Sequence, residues 1–392
     1  MTEPGIEQIR SFRLHSHHLD AEYNTVDIVR LAGACGMQNS PPGAWETALF
    51  NRVPCCTLSQ MQDILYKEKL LIQAWSLRGA PVVFPESESD VFLSALKAEA
   101  GETWIYTPGI LLALDYLHMS FEELFGTFQQ VMPRLDDNMI IGKSALDQTI
   151  ADWMKPFLPE EKQELWSQPS MYGEPDRQTV GGAVASFMLR PASFSGMVVF
   201  AEREGNTPVF TSYKNWTGQP MKVRAESQKQ LVRKFLHCYG PATVDHFISW
   251  LGCSGKQGRR MWRNAAEEME PVAVNGKKAY ILSEDRERLF SPASFQRELV
   301  LLGGHDPYLD QRDRVILQPD KSWHKQIWKM VTNPGAVVYQ GEIIGVWNSR
   351  KKSKGMEIQV TLWKEQHLKG QVCSLAEQYA DFRGQKIVKL EI

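Results

Sequence analysis

Four basic side chains share one face of a short helix that the sequence predicts near residue 260. They are Lys256, Arg259, Arg260 and Arg263. Because successive residues of an α-helix lie about 100° apart around its axis, the four fall within an arc of about 100°, opposite an apolar face. Guanidinium and ammonium groups in such a row bind phosphate oxygens, so the chemistry offered here is recognition of a phosphate backbone.

The charge around this helix is segregated from that of the rest of the chain. Residues 222–263 hold nine Lys or Arg and two Asp or Glu, a net charge of +7, whereas the remainder holds 35 basic and 44 acidic residues, a net charge of −9. A solvated charged face on a small helical domain is the ordinary explanation for one amphipathic helix. The segregation of charge instead favours a nucleic-acid partner.

Two other patterns offer chemistry that the sequence does not support. His15-Ser16-His17-His18 has no Cys or carboxylate at metal-ligand spacing, so we predict no metal site. Gly142-Lys143-Ser144 resembles the end of a phosphate-binding loop, but the first glycine of that motif would fall at Asp137. We therefore predict no cofactor.

The basic helix is predicted to lie in a winged helix-turn-helix domain over residues 222–292. Thr243 and Ser254 have the character of helix N-caps, and Gln257 stands at the capping-box spacing from Ser254. Two strands follow, joined at Asn275-Gly276, a pair that readily forms a tight hairpin turn. Three short helices followed by a hairpin are typical of a winged helix.

The same order of elements occurs twice earlier in the chain. Helical stretches precede β-prone segments in residues 1–100 and again in residues 101–221. Residues 293–392 are dominated by strands, with one helix among them. We therefore predict an α+β protein with three tandem winged-helix domains and a C-terminal antiparallel β-rich partial barrel.

The composition is that of a globular protein of several domains. The chain has 392 residues, of which 43% are apolar and 23% charged. No segment reads as a membrane span or a secretory signal, so we expect a cytoplasmic protein, and we expect a monomer. The six cysteines have no framework spacing and are expected to be reduced.

Several short phrases together resemble the AlkZ/YcaQ family of winged-helix DNA glycosylases. They are Gly36-Met37-Gln38, Trp75-Ser76-Leu77-Arg78-Gly79, Tyr239-Gly240-Pro241-Ala242-Thr243 with Trp250-Leu251-Gly252, and Asp306-Pro307-Tyr308-Leu309 with Arg312-Asp313-Arg314. Their order and spacing across nearly the whole chain carry the resemblance. It implies three winged-helix domains and a C-terminal β-rich domain around duplex DNA, the same count that the pattern of elements predicts.

The resemblance implies excision of alkylated or crosslinked purines by a monofunctional glycosylase that uses water. An N7-alkylated purine is already cationic and leaves readily, so the protein mainly positions a water and stabilises the developing oxocarbenium ion. The family motif for this work is Gln, one residue, then Gln or Asp. Gln38 matches the Gln of the motif, and Asn39 is the intervening residue. Ser40 stands where the motif has its Gln or Asp.

The serine departs from the family motif. A hydroxyl can bond a water, but it cannot act as a base near neutral pH without a partner. Asn39 could supply the second amide after a shift of one residue. The alternative for Gln38 is a loop amide that caps the helix end before Pro41.

His305 and Asp306 form a second candidate catalytic pair. They follow a predicted strand and precede a turn, where a sheet can present side chains into a cleft. An Asp before Pro is also a common turn starter whose carboxylate bonds backbone amides. Within the resembling phrases, Arg78, Arg312 and Arg314 are expected to bind DNA.

Three functions remain open at this stage. The first is a DNA glycosylase acting on alkylated or bulky purine adducts, and the second is a catalytically inactive DNA-binding member of the same fold, in regulation or damage sensing. The third, binding of RNA or a small molecule, rests on four tryptophans near the C-terminus that more readily serve the core. They are Trp323, Trp328, Trp347 and Trp363.

Overall fold

The computed structural model describes residues 2–173, 175–291, 293–329 and 331–392. Within these ranges none of the helices combines the length and the apolar character that crossing a bilayer requires. The helices of the first half are α1 (Ile6–Ser16), α2 (Ile28–Ala32), α3 (Ala44–Phe50), α4 (Leu58–Tyr66), α5 (Ser89–Phe92), α6 (Leu111–Leu117), α7 (Phe121–Val131), α8 (Lys143–Met154), α9 (Glu160–Trp166) and α10 (Val180–Ser193). Those of the second half are α11 (Tyr213–Thr217), α12 (Ser227–Tyr239), α13 (Val244–Leu251), α14 (Gly255–Arg263), α15 (Arg286–Phe290), α16 (His324–Ile327) and α17 (Lys369–Phe382).

The strands form three sheets. The first has the order β1-β3-β2-β5-β6-β4, the second β13-β12-β11-β10-β9, and the third is the hairpin β7-β8. Their bounds are β1 (Met37–Gln38), β2 (Leu71–Trp75), β3 (Pro81–Pro85), β4 (Ile140–Ile141), β5 (Val199–Glu204), β6 (Thr207–Thr211), β7 (Met269–Val274), β8 (Lys277–Leu282), β9 (Leu299–Leu302), β10 (Gly335–Tyr339), β11 (Glu342–Lys352), β12 (Gly355–Leu362) and β13 (Ile387–Glu391). Helices and strands are both abundant, as the α+β prediction requires.

The first sheet combines the strands of the first two predicted units. The hairpins β2-β3 and β5-β6 meet edge to edge, and the register pairs Gln73 with Phe200. An exposed strand edge leaves backbone amides and carbonyls unpaired, and this junction pairs them. The two hairpins predicted from the sequence are therefore present, but they share one six-stranded sheet.

The helices and hairpin predicted around the basic helix are confirmed. The side chains of Thr243 and Ser254 cap α13 and α14 by accepting backbone N–H bonds from His246 and Gln257. The chain reverses between β7 and β8 at Asn275-Gly276, where φ is +51° and +70°. These local features lie within a few residues of one another, which is why the sequence alone predicts them.

The C-terminal sheet departs from the prediction at one edge. Strands β9 to β12 pair antiparallel, but β13 lies parallel to β12, so the prediction of an antiparallel sheet is wrong for the last strand. The reason is α17, which connects β12 to β13, because a crossover helix returns the chain in the same direction. Trp347 is buried in this domain and Trp323 stacks on Trp363 with ring centroids 4.4 Å apart.

A buried arginine ties the N-terminal helix to the third helical unit and the C-terminal segment. Arg13 in α1 donates to the carbonyls of Gly240 and Pro241 at 3.0 and 3.1 Å. Its guanidinium also forms a two-pronged ion pair with Asp313, at 2.8 and 2.7 Å. Segments more than 200 residues apart in sequence thus meet at one side chain beside the candidate site.

Candidate active site

A cleft of about 290 Å³ lies where the first unit, the third helical unit and the C-terminal segment meet. The polar and aromatic side chains that line it come from all three parts of the chain. They include Gln38, Arg78, Tyr239, Trp250, His305, Asp310, Arg312 and Arg314. The phrases on which the family resemblance rests therefore converge on one cavity.

Gln38 stands at the end of β1, and its amide is held from both sides. Nε2 donates to the carbonyl of Ser40 and to Nδ1 of His305, each at 3.0 Å, and Oε1 accepts from Arg78 at 3.3 Å. Both amide hydrogens are used, which fixes the orientation of the group. One lone pair of Oε1 remains for another donor.

The turn before β1 requires a glycine. Gly36 has a φ of +72°, and a Cβ there would lie 2.7 Å from a methyl carbon of Val82. A side chain at this position would strain the backbone and collide with β3. The turn therefore sets the path that carries Gln38 to the cleft.

His305 is neutral at physiological pH. Burial lowers its pKa from the ordinary value of 6.5, and Asp310, which acts in the opposite direction, does not cancel this effect. Because the Gln38 amide donates to Nδ1, the proton of the neutral ring resides on Nε2. His305 follows β9 and precedes the 3₁₀ turn Pro307–Asp310, as the sequence predicts.

Arg78 connects the first unit to the third. It has a φ of +55°, which is uncommon for a residue with a side chain and marks a constrained backbone. Its guanidinium donates to the carbonyl of Trp250 in the last turn of α13 at 2.6 Å, where a helix end favours a cation. Gly252 packs closely against it, since a Cβ there would lie 2.9 Å from the Arg78 side chain.

The electrostatics of the cleft are positive. Asp310 pairs with both Arg78, at 2.7 Å, and Arg312, at 2.8 Å, so one carboxylate serves two guanidinium groups. The third arginine, Arg314, lies with its guanidinium carbon 4.7 Å from the ring centroid of Trp328. The other carboxylate of the lining, Asp306, is paired with Arg52, so the three arginines and Asp310 leave a surplus of positive charge that suits a polyanion.

Comparison with known proteins identifies the fold and the family. A family model described as DNA glycosylase AlkZ-like matches residues 31–382. The chain belongs to the AlkZ-like DNA glycosylase family. This confirms the resemblance read from the sequence.

One curated relative and one solved structure, both from Streptomyces sahachiroi, are similar to this chain. An interstrand DNA cross-link repair glycosylase is 26% identical over 288 residues, which cover 71% of this chain and 70% of the relative. The solved structure of the DNA glycosylase AlkZ from that organism superposes with a TM-score of 0.77 over 100% of both chains. At 19% sequence identity, that superposition shows a shared fold.

Asn39 and Ser40 occupy the other two positions of the motif, and neither residue lines the cleft. Asn39 is buried, and it donates to Gln73 at 2.9 Å and accepts from the backbone of Gly43 at 2.7 Å. Ser40 is exposed and offers its carbonyl to Gln38. The geometry therefore gives Asn39 a structural task and brings Gln38 alone of the three into the cleft.

Asp306 is held by an arginine that sequence reasoning missed. Its carboxylate accepts two bonds from Arg52, at 2.9 and 3.1 Å, and one from the backbone of Tyr308 at 3.0 Å. The two side chains are 0% and 2% exposed. Burial opposes the charge of Arg52, but the attraction of Asp306 prevails and raises its pKa. Asp306 belongs to the lining of the cleft, and its carboxylate oxygens are bound by the turn and by Arg52.

The basic face of α14 divides into three exposed side chains and one that is partly buried. Lys256, Arg259 and Arg263 are exposed and line a shallow groove of about 580 Å³. Arg260 instead forms a two-pronged pair with Glu102, at 2.8 Å for both contacts. The predicted phosphate-binding row therefore retains three exposed members, while Arg260 fastens α14 to the preceding unit.

The sequence carried little signal for several residues around the site. Asp310 lies only two residues before Arg312, yet nothing local indicates that it also binds Arg78. Within the described residues, His17, Cys35 and Cys238 form a group whose ligand atoms are close enough to hold one metal ion. These partners are distant in sequence and are brought together by the fold.

Proposed function

We propose that this protein is a monofunctional DNA glycosylase that uses water to excise N7-alkylated purines, including crosslinked ones, from duplex DNA. The observation that carries the proposal is the Gln38 amide, fixed by His305 and Arg78 inside a positively charged cleft. Membership of the AlkZ-like family supports the reaction, and the name of the S. sahachiroi relative supports interstrand cross-linked DNA as a substrate.

The chemistry requires positioning more than proton transfer. A cationic purine leaves without a general acid, so the barrier falls mainly through orientation of the attacking water. The free lone pair on Oε1 of Gln38 accepts a hydrogen bond from that water, and the Gln38–His305–Arg78 contacts keep the amide from rotating. Asp310 holds Arg78 and Arg312 in place within the cleft.

The architecture we propose for DNA binding follows the sequence expectation. Residues 1–100, 101–221 and 222–292 act as three winged-helix domains, and residues 293–392 as a C-terminal partial barrel, in a monomer that binds duplex DNA. The exposed cations of α14 and the arginines of the cleft, including Arg312 and Arg314, bind the backbone on either side of the lesion. Their charge supports this assignment.

Replacing both Arg259 and Arg263 with Ala is expected to weaken duplex binding equally across sequences. Each phosphate contact contributes about 0.9 to the slope of log affinity against log salt, so the slope should fall by about 2. The measurement is a salt titration of duplex affinity. Lys369→Ala removes one exposed cation elsewhere and serves as the control. A double variant with the wild-type slope would mean that α14 faces away from DNA.

The rate of base release is expected to fall in acid, at a pH below the ordinary histidine pKa of about 6.5. The lowered pKa of His305 keeps the ring neutral at pH 7. Protonation at lower pH places a hydrogen on Nδ1, which can then no longer accept the hydrogen bond from the Gln38 amide. His305→Asn retains an acceptor without a titrating group and should flatten the acid limb of the pH–rate profile. An unchanged acid limb in that variant would contradict the assignment, and His367→Gln is an exposed control.

The alternative is a catalytically inactive DNA-binding member of the AlkZ-like family. The observation that favours it is Ser40, which replaces Gln or Asp and lies outside the described cleft. Appearance of activity only after Ser40→Gln or Ser40→Asp would support this alternative.

Affinity for a transition-state mimic discriminates the two functions. The probe is duplex DNA with a cationic pyrrolidine in place of one sugar, compared with unmodified duplex. A glycosylase should bind the mimic at least about 10²-fold more tightly, because an enzyme binds the transition state of its reaction more tightly than the substrate. Equal affinity for the two duplexes would favour the inactive binder.

A further inference from the structure

A buried cluster of one imidazole and two thiols lies beside the floor of the cleft. His17 follows α1, Cys35 precedes β1, and Cys238 lies near the end of α12. Their ligand atoms all lie within 4.8 Å of one another. The residues are 1%, 5% and 0% exposed, respectively. The three come from parts of the chain up to 221 positions apart, so no spacing in the sequence indicates the cluster.

The distances and donor types match a tetrahedral metal site. With zinc–sulfur and zinc–nitrogen bonds of about 2.3 and 2.0 Å, tetrahedral angles separate the sulfur and nitrogen by about 3.5 Å. Sγ of Cys35 lies 3.7 Å from Nδ1 of His17. Two cysteines and one histidine, with a fourth position for water, form a known zinc ligand set.

The imidazole of His17 is poorly satisfied by the protein. Nε2 is buried and has no hydrogen-bond partner within the described part of the chain. The imidazole contacts two aromatic rings, Tyr239 and Tyr308, and both contacts are edge-on. Nδ1 is the nitrogen next to Cys35, so a metal ion held with the thiols would bind there, while Nε2 lies on the other side of the ring.

The charge of the ligand set suits a buried metal ion. A metal ion displaces the thiol protons, so Cys35 and Cys238 would bind it as thiolates. Two thiolates and one Zn²⁺ sum to zero charge, which a buried site tolerates.

We propose that His17, Cys35 and Cys238 form a zinc-binding site that joins the N-terminal helix and the first unit to α12. Cys35 also lines the cleft, so water from the cleft occupies the fourth position. The metal fastens the two walls of the cleft to each other at its floor. This site is independent of the proposed glycosylase activity, because its ligands are separate from Gln38, Arg78 and His305.

The direct test is metal stoichiometry of the full-length protein after reduction and chelation, followed by addition of zinc alone. We expect about one zinc per chain for the wild type and a loss to near zero in Cys35→Ser and Cys238→Ser. Cys56→Ser changes an equally buried cysteine outside the cluster and should retain the metal. Unchanged zinc content in the Cys35 and Cys238 variants would overturn the proposal.

A second measurement does not depend on the folding of those variants. Cobalt added to the reduced wild type should produce a thiolate-to-cobalt charge-transfer band, and zinc should remove it. A variant carrying Cys55→Ser, Cys56→Ala, Cys253→Ser and Cys373→Ser retains only the two proposed cysteine ligands and should give the same band. Absence of the band from the wild type, or its loss from this variant, would overturn the proposal, as would a Cys35–Cys238 disulfide that persists under reducing conditions.

Discussion

Gln38→Ala is expected to slow the release of 7-methylguanine from duplex DNA by about 10²- to 10³-fold, the usual cost of removing one oriented polar group from an active site. The alanine removes the acceptor for water and leaves Nδ1 of His305 and the guanidinium of Arg78 without their shared partner. The measurement is a single-turnover time course with protein in excess.

The control for this variant separates catalysis from binding. Gln378 is exposed on α17, and Gln378→Ala removes the same chemical group at a distance from the cleft. We expect this control to keep the wild-type rate, and Gln38→Ala to keep the wild-type duplex affinity. A Gln38→Ala protein that releases the base at the wild-type rate would show that the amide has no part in the reaction.

Asp306→Asn is expected to lower the free energy of unfolding by about 3–5 kcal/mol, because it leaves the buried charge of Arg52 without its counterion. Asn retains an oxygen that can accept the backbone bond from Tyr308, so the change isolates the ion pair. Denaturant unfolding measures the difference.

Two comparisons give this second prediction its specificity. Asp63→Asn breaks an exposed pair with Lys67 and should change stability by no more than about 1 kcal/mol. The fraction of Asp306→Asn protein that remains folded should release 7-methylguanine at nearly the wild-type rate. Loss of that rate with little change in stability would instead make Asp306 catalytic.

The features that the sequence predicts correctly are those with local causes. The cap of α14 needs Ser254 and Gln257 only three residues apart, and the β7-β8 turn needs only Asn275 and Gly276. The position of His305 between a strand and a turn is equally local. Such signals depend on short stretches of chain and survive whatever packs around them.

The features that the sequence does not predict depend on distant partners. Arg52 and Asp306 are 254 residues apart, and no sequence pattern around either residue indicates the ion pair. Arg260 fits the periodicity of a phosphate-binding row, yet Glu102 neutralises it. In the same way, the first sheet combines two hairpins because their edges meet in three dimensions. Helical periodicity specifies the face of the helix on which a side chain lies, but not which residues of other elements pack against that face.

The most direct test of the account is detection of free base by mass spectrometry after wild-type protein, in excess, is incubated with duplex DNA carrying one 7-methylguanine. We predict free 7-methylguanine and an abasic site left in an otherwise intact strand. If the protein binds this duplex but releases no free base over many hours, the central claim of a glycosylase site at Gln38 is contradicted.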